Sequence, residues 1–261
     1  MIHKTAFIDS EANIGKNVTV GPFCSIGPNV TIHDGVELSS HVVIEKNTIL
    51  NKNVKVGPFS VLGGDPQSIG FKNHETFLEV GENTIIREHV TMHRGCYDEP
   101  FVTRVGRNCF IMVGVHIAHD CIVGDNVIMA NNATLGGHVK IGDHSTIGGL
   151  AAIHQKCRIG HHAMIGGLAG ISTDVIPYGI VMSSHSYISN INVIGLKRNG
   201  YSKENIKEVH GAFRYVFYSD EGTFKERLAV ATERYNGNET IESILDFATS
   251  NADREISQPR K

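Results

Sequence analysis

Every sixth residue of this chain is aliphatic over long stretches, and few folds can use such a period. From Ile2 the series runs Ile8, Ile14, Val20, Ile26, Ile32, Leu38, Ile44, Leu50, Val56 and Leu62. It resumes at Val80, Ile86 and Met92, slips by one residue, and runs again from Val105 through Ile111, Ile117, Val123, Met129, Leu135, Ile141, Ile147, Ile153, Ile159 and Ile165 to Ile171. A helix repeats about every 3.6 residues and a half-buried strand every second one, so neither generates this spacing. The 26 aliphatic positions have no exception inside the runs.

The remaining slots are equally regular. With the aliphatic position written i, glycine fills i+1 thirteen times, among them Gly15, Gly21, Gly57, Gly124, Gly136 and Gly148. Position i+4 is small or β-branched, as at Ala6, Ala12, Val18, Val30, Val127 and Ala133. A short strand followed by a turn fits each six-residue unit, with Gly or Asn near the turn tolerating positive φ. Residues i and i+4 then point inward. Three units close a triangular coil of 18 residues, and successive coils stack as parallel strands about 4.8 Å apart. Cys24, Cys96, Cys109, Cys121 and Cys157 all occupy the buried i+4 slot. They read as core fillers rather than as a disulfide set, a zinc site or a nucleophile.

Two segments break the repeat, Gly63 to Glu79 and Tyr97 to Arg104, and loops that leave a rigid scaffold are where binding residues tend to sit. After Pro177 the repeat fades. Ser202 is placed to cap a helix reaching Ser219, with Ile206, Val209, Phe213 and Val216 or Phe217 at helical spacing. Thr223 and Thr240 look like the caps of two further helices. The expected organisation is an all-β solenoid over residues 1–190, with loops 63–79 and 97–104, and a helical domain over 191–261 covering the coil's open end. The net charge of −3 supplies no overall drive toward nucleic acid, and no apolar run approaches membrane-spanning length. No leader peptide is visible from Met1 to Ser10, so a cytoplasmic location is expected.

None of the chain's 15 histidines takes an inward slot of the repeats. His93 and His154 are at i+1, His119 and His161 at i+2, and His138, His144 and His162 at i+3. His3, His33, His41 and His210 read as solvated surface residues. Stacking arithmetic gathers a cluster, because residues 18 apart share a column. His119 lies under Gly137 and Gln155, Asp120 under His138 and Lys156, and Ala118 under Gly136 and His154. Excising seven residues after Met92 puts His93 in the column of Ala118. One corner thus holds His93, His119, Asp120, Gly137, His138, His154 and Gln155, with His116 just before it.

Acid–base chemistry suits this corner. An imidazole takes a proton from a hydroxyl at neutral pH, a neighbouring carboxylate fixes its tautomer, and a glycine lets a substrate approach a backbone N–H that stabilises an oxyanion. His119, Asp120 and Gly137 fit those roles. No Ser or Cys nucleophile motif accompanies them, so direct transfer is preferred to a covalent acyl-enzyme. A catalytic zinc is disfavoured: hexapeptide-repeat carbonic anhydrases carry two ligands five residues apart, and no two histidines here are so spaced. No metal is expected.

The segments His116-Ile-Ala-His-Asp-Cys121, Ala130-Asn-Asn-Ala-Thr-Leu135, Gly137-His138, Gly195-Leu-Lys-Arg198 and Thr91-Met-His-Arg-Gly95 closely resemble the acyl-carrier-protein:UDP-N-acetylglucosamine O-acyltransferases of the hexapeptide-repeat superfamily. The resemblance spans essentially the whole chain. It implies a left-handed parallel β-helix and a homotrimer with active sites between neighbouring coils. It also implies transfer of an (R)-3-hydroxyacyl group from acyl carrier protein to the 3-position of UDP-N-acetylglucosamine, the first step of lipid A synthesis. No resident cofactor is implied, because the acyl group arrives on the carrier's phosphopantetheine. By the resemblance His119 is the general base, Asp120 its partner and Gly137 the oxyanion donor. His116, His138, His154 and Gln155 contact the nucleotide or the reacting groups, and His93 is a further active-site histidine. Asn192 and Arg198 belong to the nucleotide pocket, and Gly167 and His185 line the acyl groove. Lys197, Arg198, Lys203, Lys207 and Arg214 form a basic stretch that suits the acidic carrier protein.

Ser68 and Gly70 stand where the family's first loop carries an Asp and a Lys, and Ile194 replaces an acidic residue of the nucleotide pocket. These departures leave a 3-amino sugar acceptor as an alternative. A second alternative is the lipid A N-acyltransferase, which carries a uridine-binding domain ahead of its coil, whereas here the repeat already runs at Ile2. Acetyl-CoA-dependent hexapeptide enzymes and a non-enzymatic coil are the remaining rivals, and the latter has no need of the histidine corner.

Overall fold

In a computed structural model that describes residues 1–72, 74–96, 101–182 and 185–260, the repeats form a left-handed parallel β-helix. Its strands are mostly two residues long and lie in three sheets of nine, eight and ten strands. Most aliphatic i residues are the second residue of a two-residue strand and face the shared core, as Ile26, Ile32, Ile111 and Ile117 do. Apolar i+4 residues complete that core, Cys24, Cys109, Cys121 and Cys157 among them, and all five cysteines are buried thiols.

The turns do use positive φ at Asn and Gly, but not at those residues alone. Positive φ falls at i+3, where Asn17, Asn29, Asn53 and Asn126 sit, but so do Phe23, His41, Asp120, His138 and Leu150. The glycines at i+1 answer a different need, the closeness of the next coil. A Cβ on Gly57 would stand 2.7 Å from the backbone of Arg87 and Glu88, and one on Gly21 would stand 2.7 Å from Ser39. The i+3 residues stack along each edge of the prism. On one edge the Phe23, His41, Phe59 and His89 rings follow one another at centroid distances of 5.1, 4.9 and 5.2 Å. His41, exposed as the sequence suggests, is also a rung of this aromatic ladder.

The first interruption leaves the coil after Val61–Gly64 and rejoins it at Phe77–Val80. The second rejoins at Val102–Val105, while its Tyr97–Pro100 portion lies outside the described residues. Beyond the last repeat, Gly179–Val181 still pairs in parallel with Met164–Ile165, and Ile188–Ile191 then adds antiparallel to it. Four helices follow: α1 (Val193–Arg198), α2 (Lys203–Tyr218), α3 (Phe224–Arg234) and α4 (Glu239–Thr249). Their apolar faces, including Leu196, Val209, Phe213, Leu228 and Ile241, pack with Ile176 and Tyr178 of the coil's end.

Ser202 caps α2 as expected, and Thr223 caps α3 in a reciprocal box with Glu226. Thr240 does not cap α4. Asn238 does, accepting from Ile241 N–H, and Thr240 is buried in the first turn. Starting the helix two residues earlier puts Ile241, Ile244 and Leu245 on its buried side and Glu239 and Glu242 at its positive end. Thr223→Ala removes one half of the α3 box. It is expected to cost about 1 kcal/mol of stability, read as a lower denaturant midpoint with unchanged slope.

Candidate active site

The site is built where the nine-stranded sheet hands over to the eight-stranded one. Thr91 pairs with His116, His116 with Thr134, and Thr134 with Ala152. The first of these offsets carries the seven-residue excision, and the other two are plain 18-residue coils. His119 therefore packs directly on Gly137: a Cβ at 137 would stand 2.6 Å from His119 Cε1 and 2.7 Å from Nε2.

His119 Nδ1 lies 2.8 Å from Asp120 Oδ2. That carboxylate is held from several sides. Its side chain is 3% exposed, its other oxygen accepts from Cys96 N–H at 2.9 Å, and its backbone N–H donates to Thr103 Oγ1 at 2.8 Å. His138 Nε2 stands 3.6 Å from the same Oδ2. Asp120 has φ 59°, so the left-handed corner itself turns its carboxylate back toward the neighbouring imidazole. With a proton on Nδ1 shared with the carboxylate, the lone pair of His119 is on Nε2, the nitrogen nearer Gly137. Gly137 is buried under the ring, and its N–H makes no hydrogen bond among the described residues. A buried, unpaired amide is costly, and an incoming oxyanion would satisfy it.

A second layer of imidazoles stands one coil away. His93 meets His116 edge to face at 5.0 Å, and His116 Nδ1 shares a 2.8 Å hydrogen bond with Thr91 Oγ1. Burial first, then the neighbouring His116 and His119, pushes the His93 imidazole down to about 4. Burial and then His119 also lower His116. Both shifts favour the neutral imidazole; His116 uses it to hydrogen-bond Thr91, whereas the buried His93 Nδ1 has no partner among the described residues. His119 and His138 meet edge to face at 5.1 Å.

His154 and Gln155 are exposed on the next coil and are engaged by a residue the sequence did not reveal. Arg254 donates from Nη2 to His154 Nδ1 at 2.7 Å and to the Gln155 carbonyl at 3.1 Å. His154 also lines a cavity of about 640 Å³ with Ala152, Gly170, His185, Tyr187 and Ile256. That volume suits a small-molecule ligand, and the cavity joins two of the expected residues, His154 and His185. The tail is fastened here by Asp174, fully buried, which accepts from Arg158 Nε at 2.6 Å and pairs in strand fashion with Ile256.

The other expected residues lie apart from the corner. Gly167 is on a different edge of the prism, beside Gly149. Asn192 spends its amide on structure, capping α1 and donating to the His162 carbonyl at 2.9 Å. Arg198 is exposed in the last turn of α1, and the other four residues of the basic stretch are exposed as well. In the first loop, Asp65 pairs with Arg94, a guanidinium only 1% exposed.

A separate histidine stack is expected to make the fold acid-sensitive. His144, His162 and Tyr178 stack at 4.7 and 5.1 Å. Burial, then His161 and His144, pushes His162 down to about 4. As pH falls through the ordinary histidine value of about 6.5, the unfolded chain takes up protons that the folded chain refuses, so stability is lost on the way down to about 4. The melting temperature is expected to drop over this interval, and to drop less in His162→Asn, since Asn already occupies other left-handed corners of that edge.

Residues 174–257 match the family described as UDP N-acetylglucosamine O-acyltransferase, domain 2, and residues 11–46 and 103–137 match the bacterial transferase hexapeptide family. The acyl-[acyl-carrier-protein]--UDP-N-acetylglucosamine O-acyltransferase of Caulobacter vibrioides is 48% identical over 100% of this chain and 98% of its own length. That of Azorhizobium caulinodans is 46% identical over 100% of this chain and 96% of its own. Among solved structures, the UDP-N-acetylglucosamine acyltransferase of Bacteroides fragilis superposes with a TM-score of 0.94 at 36% identity, covering 99% of this chain and 100% of that one.

Proposed function

The chain belongs to the acyl-[acyl-carrier-protein]--UDP-N-acetylglucosamine O-acyltransferase family, and from that premise we propose how its corner performs the transfer. The substrates are an (R)-3-hydroxyacyl thioester on acyl carrier protein and UDP-N-acetylglucosamine, and the reaction opens lipid A synthesis. His119 Nε2 takes the proton of the sugar 3-hydroxyl as its oxygen bonds to the thioester carbon. Asp120 holds the imidazole and stabilises the imidazolium. The Gly137 N–H receives the carbonyl oxygen as it becomes an oxyanion. When the carbon–sulfur bond breaks, the imidazolium returns its proton to the leaving thiolate, so atoms and charge balance without a resident cofactor.

One observation carries this reading: the His119 ring lies against Gly137 while its other nitrogen is bound to a buried carboxylate. The base and the oxyanion donor then face one reacting carbon. The same reading assigns His93, His116 and His138 to contacts around the reacting groups, His154 and Gln155 to the nucleotide side, and Asn192 and Arg198 to the nucleotide pocket. Gly167 and His185 line the acyl groove. Gly167 sits on another edge of the coil from His119, which supports a groove completed by neighbouring copies in a homotrimer. The exposed Lys203, Lys207 and Arg214 suit the acidic carrier. Among the described residues no helix is long and apolar enough to cross a membrane, and we assign the enzyme to the cytoplasm.

A 3-amino sugar is the second acceptor to consider. Ser68 and Gly70 bring no charge to the first loop, Asp65 of that loop is engaged by Arg94, and Ile194 is exposed at the start of α1. The test is an assay of purified protein offered UDP-N-acetylglucosamine and its 3-amino analogue with a panel of acyl-carrier thioesters. The expected product is the O-acyl sugar nucleotide. Product mass showing amide alone would replace the ester reading, and no acyl transfer to either would remove it.

A further inference from the structure

We propose that the catalytic corner also binds a thiophilic divalent cation, zinc or cadmium, on Cys96, His119 and Asp120, and that this ion is an inhibitor rather than a cofactor. One ligand atom from each residue lies within 4.8 Å of the other two, and this is the one such group among the described residues. Thiolate, imidazole and carboxylate together form a donor set for zinc, with bond lengths of about 2.0–2.3 Å and a fourth position left open. Ligand atoms around such an ion stand roughly 3–4 Å apart at those bond lengths, so the corner needs only a small contraction.

The geometry is already tied together, because the Cys96 N–H donates to the Asp120 carboxylate at 2.9 Å and Asp120 lies 2.8 Å from the His119 ring. Binding releases the Cys96 thiol proton to solvent and occupies a lone pair of His119. An imidazole that holds the ion cannot accept the sugar proton. The inhibition therefore rests on His119 being the base, whereas the binding does not.

The test uses the full-length chain in metal-free buffer, with Cd²⁺ as a spectroscopic probe and Zn²⁺ as inhibitor. The thiolate-to-cadmium charge-transfer absorbance is expected to saturate at one ion per chain and to be absent in Cys96→Ala and Cys96→Ser. Zn²⁺ is expected to suppress turnover, and each variant, compared with its own metal-free rate, should need at least about tenfold more of it, since even loss of an outer-shell partner weakens metal sites by that much. No cadmium–thiolate band in the parent chain would overturn the site. A band accompanied by unchanged turnover would overturn the inhibition, and equal zinc sensitivity in the variants would move the ion to other ligands. The His119→Ala assay tests the base independently.

Discussion

Replacing His119 with alanine is expected to abolish acyl transfer almost completely while leaving the coil folded. General-base assistance by a placed side chain is worth roughly 10²–10⁴-fold, and His138, the nearest other imidazole, has its Nε2 toward the same carboxylate rather than over Gly137. The fold should survive because His119 sits at a corner, outside the i and i+4 slots that fill the core. The readout is turnover beside melting temperature. A loss in kcat with nearly constant melting temperature and sugar-nucleotide affinity supports the role. Unchanged turnover removes it.

Gly137→Ala is the second large effect, and it acts on two groups at once. The new methyl would stand 2.6–2.7 Å from the His119 ring, inside van der Waals contact, so the imidazole has to move. A shift of about 1 Å in a catalytic group can cost about 10²-fold, and crowding the amide proposed as the oxyanion donor adds to that. Backbone strain does not enter, because Gly137 lacks a positive φ. Turnover should fall at least about a hundredfold with the circular dichroism spectrum intact. A variant that turns over normally would mean that neither the ring position nor the amide matters to the reaction.

The coil and the packing of its histidine corner were legible in the sequence for one reason. A strict six-residue period fixes which residues point inward, and three periods fix which residues stack, so the meeting of His119 with Gly137 follows from a difference of 18. The seven-residue offset that brings His93 beside that column follows from the same phase, as the pairing of Met92 with Ile117 shows. The period itself says nothing about φ. The left-handed corners at Phe23 and Leu150 are set by coil closure, and the i+1 glycines by the closeness of the coil above.

Where the repeat ends, so does that leverage. Arg254 reaches His154 across 100 residues with no pattern to announce it. The Arg94–Asp65 pair joins a buried position to an irregular loop. Asn238 competed with Thr240 for the α4 cap, and the choice was made by which register buries Ile241 and Leu245. The short helix α1 is too brief for periodicity to reveal, and its Asn192 cap is visible only once the His162 carbonyl is beside it.

The most direct test of the account is a crystal structure of the enzyme with its acylated sugar-nucleotide product. The account predicts the ester oxygen at the sugar 3-position within about 3.2 Å of His119 Nε2, a hydrogen-bond distance for proton transfer, and the acyl carbonyl oxygen facing the Gly137 N–H. A product bound with its ester turned away from both atoms, in a crevice that His119 and Gly137 do not share, would contradict it.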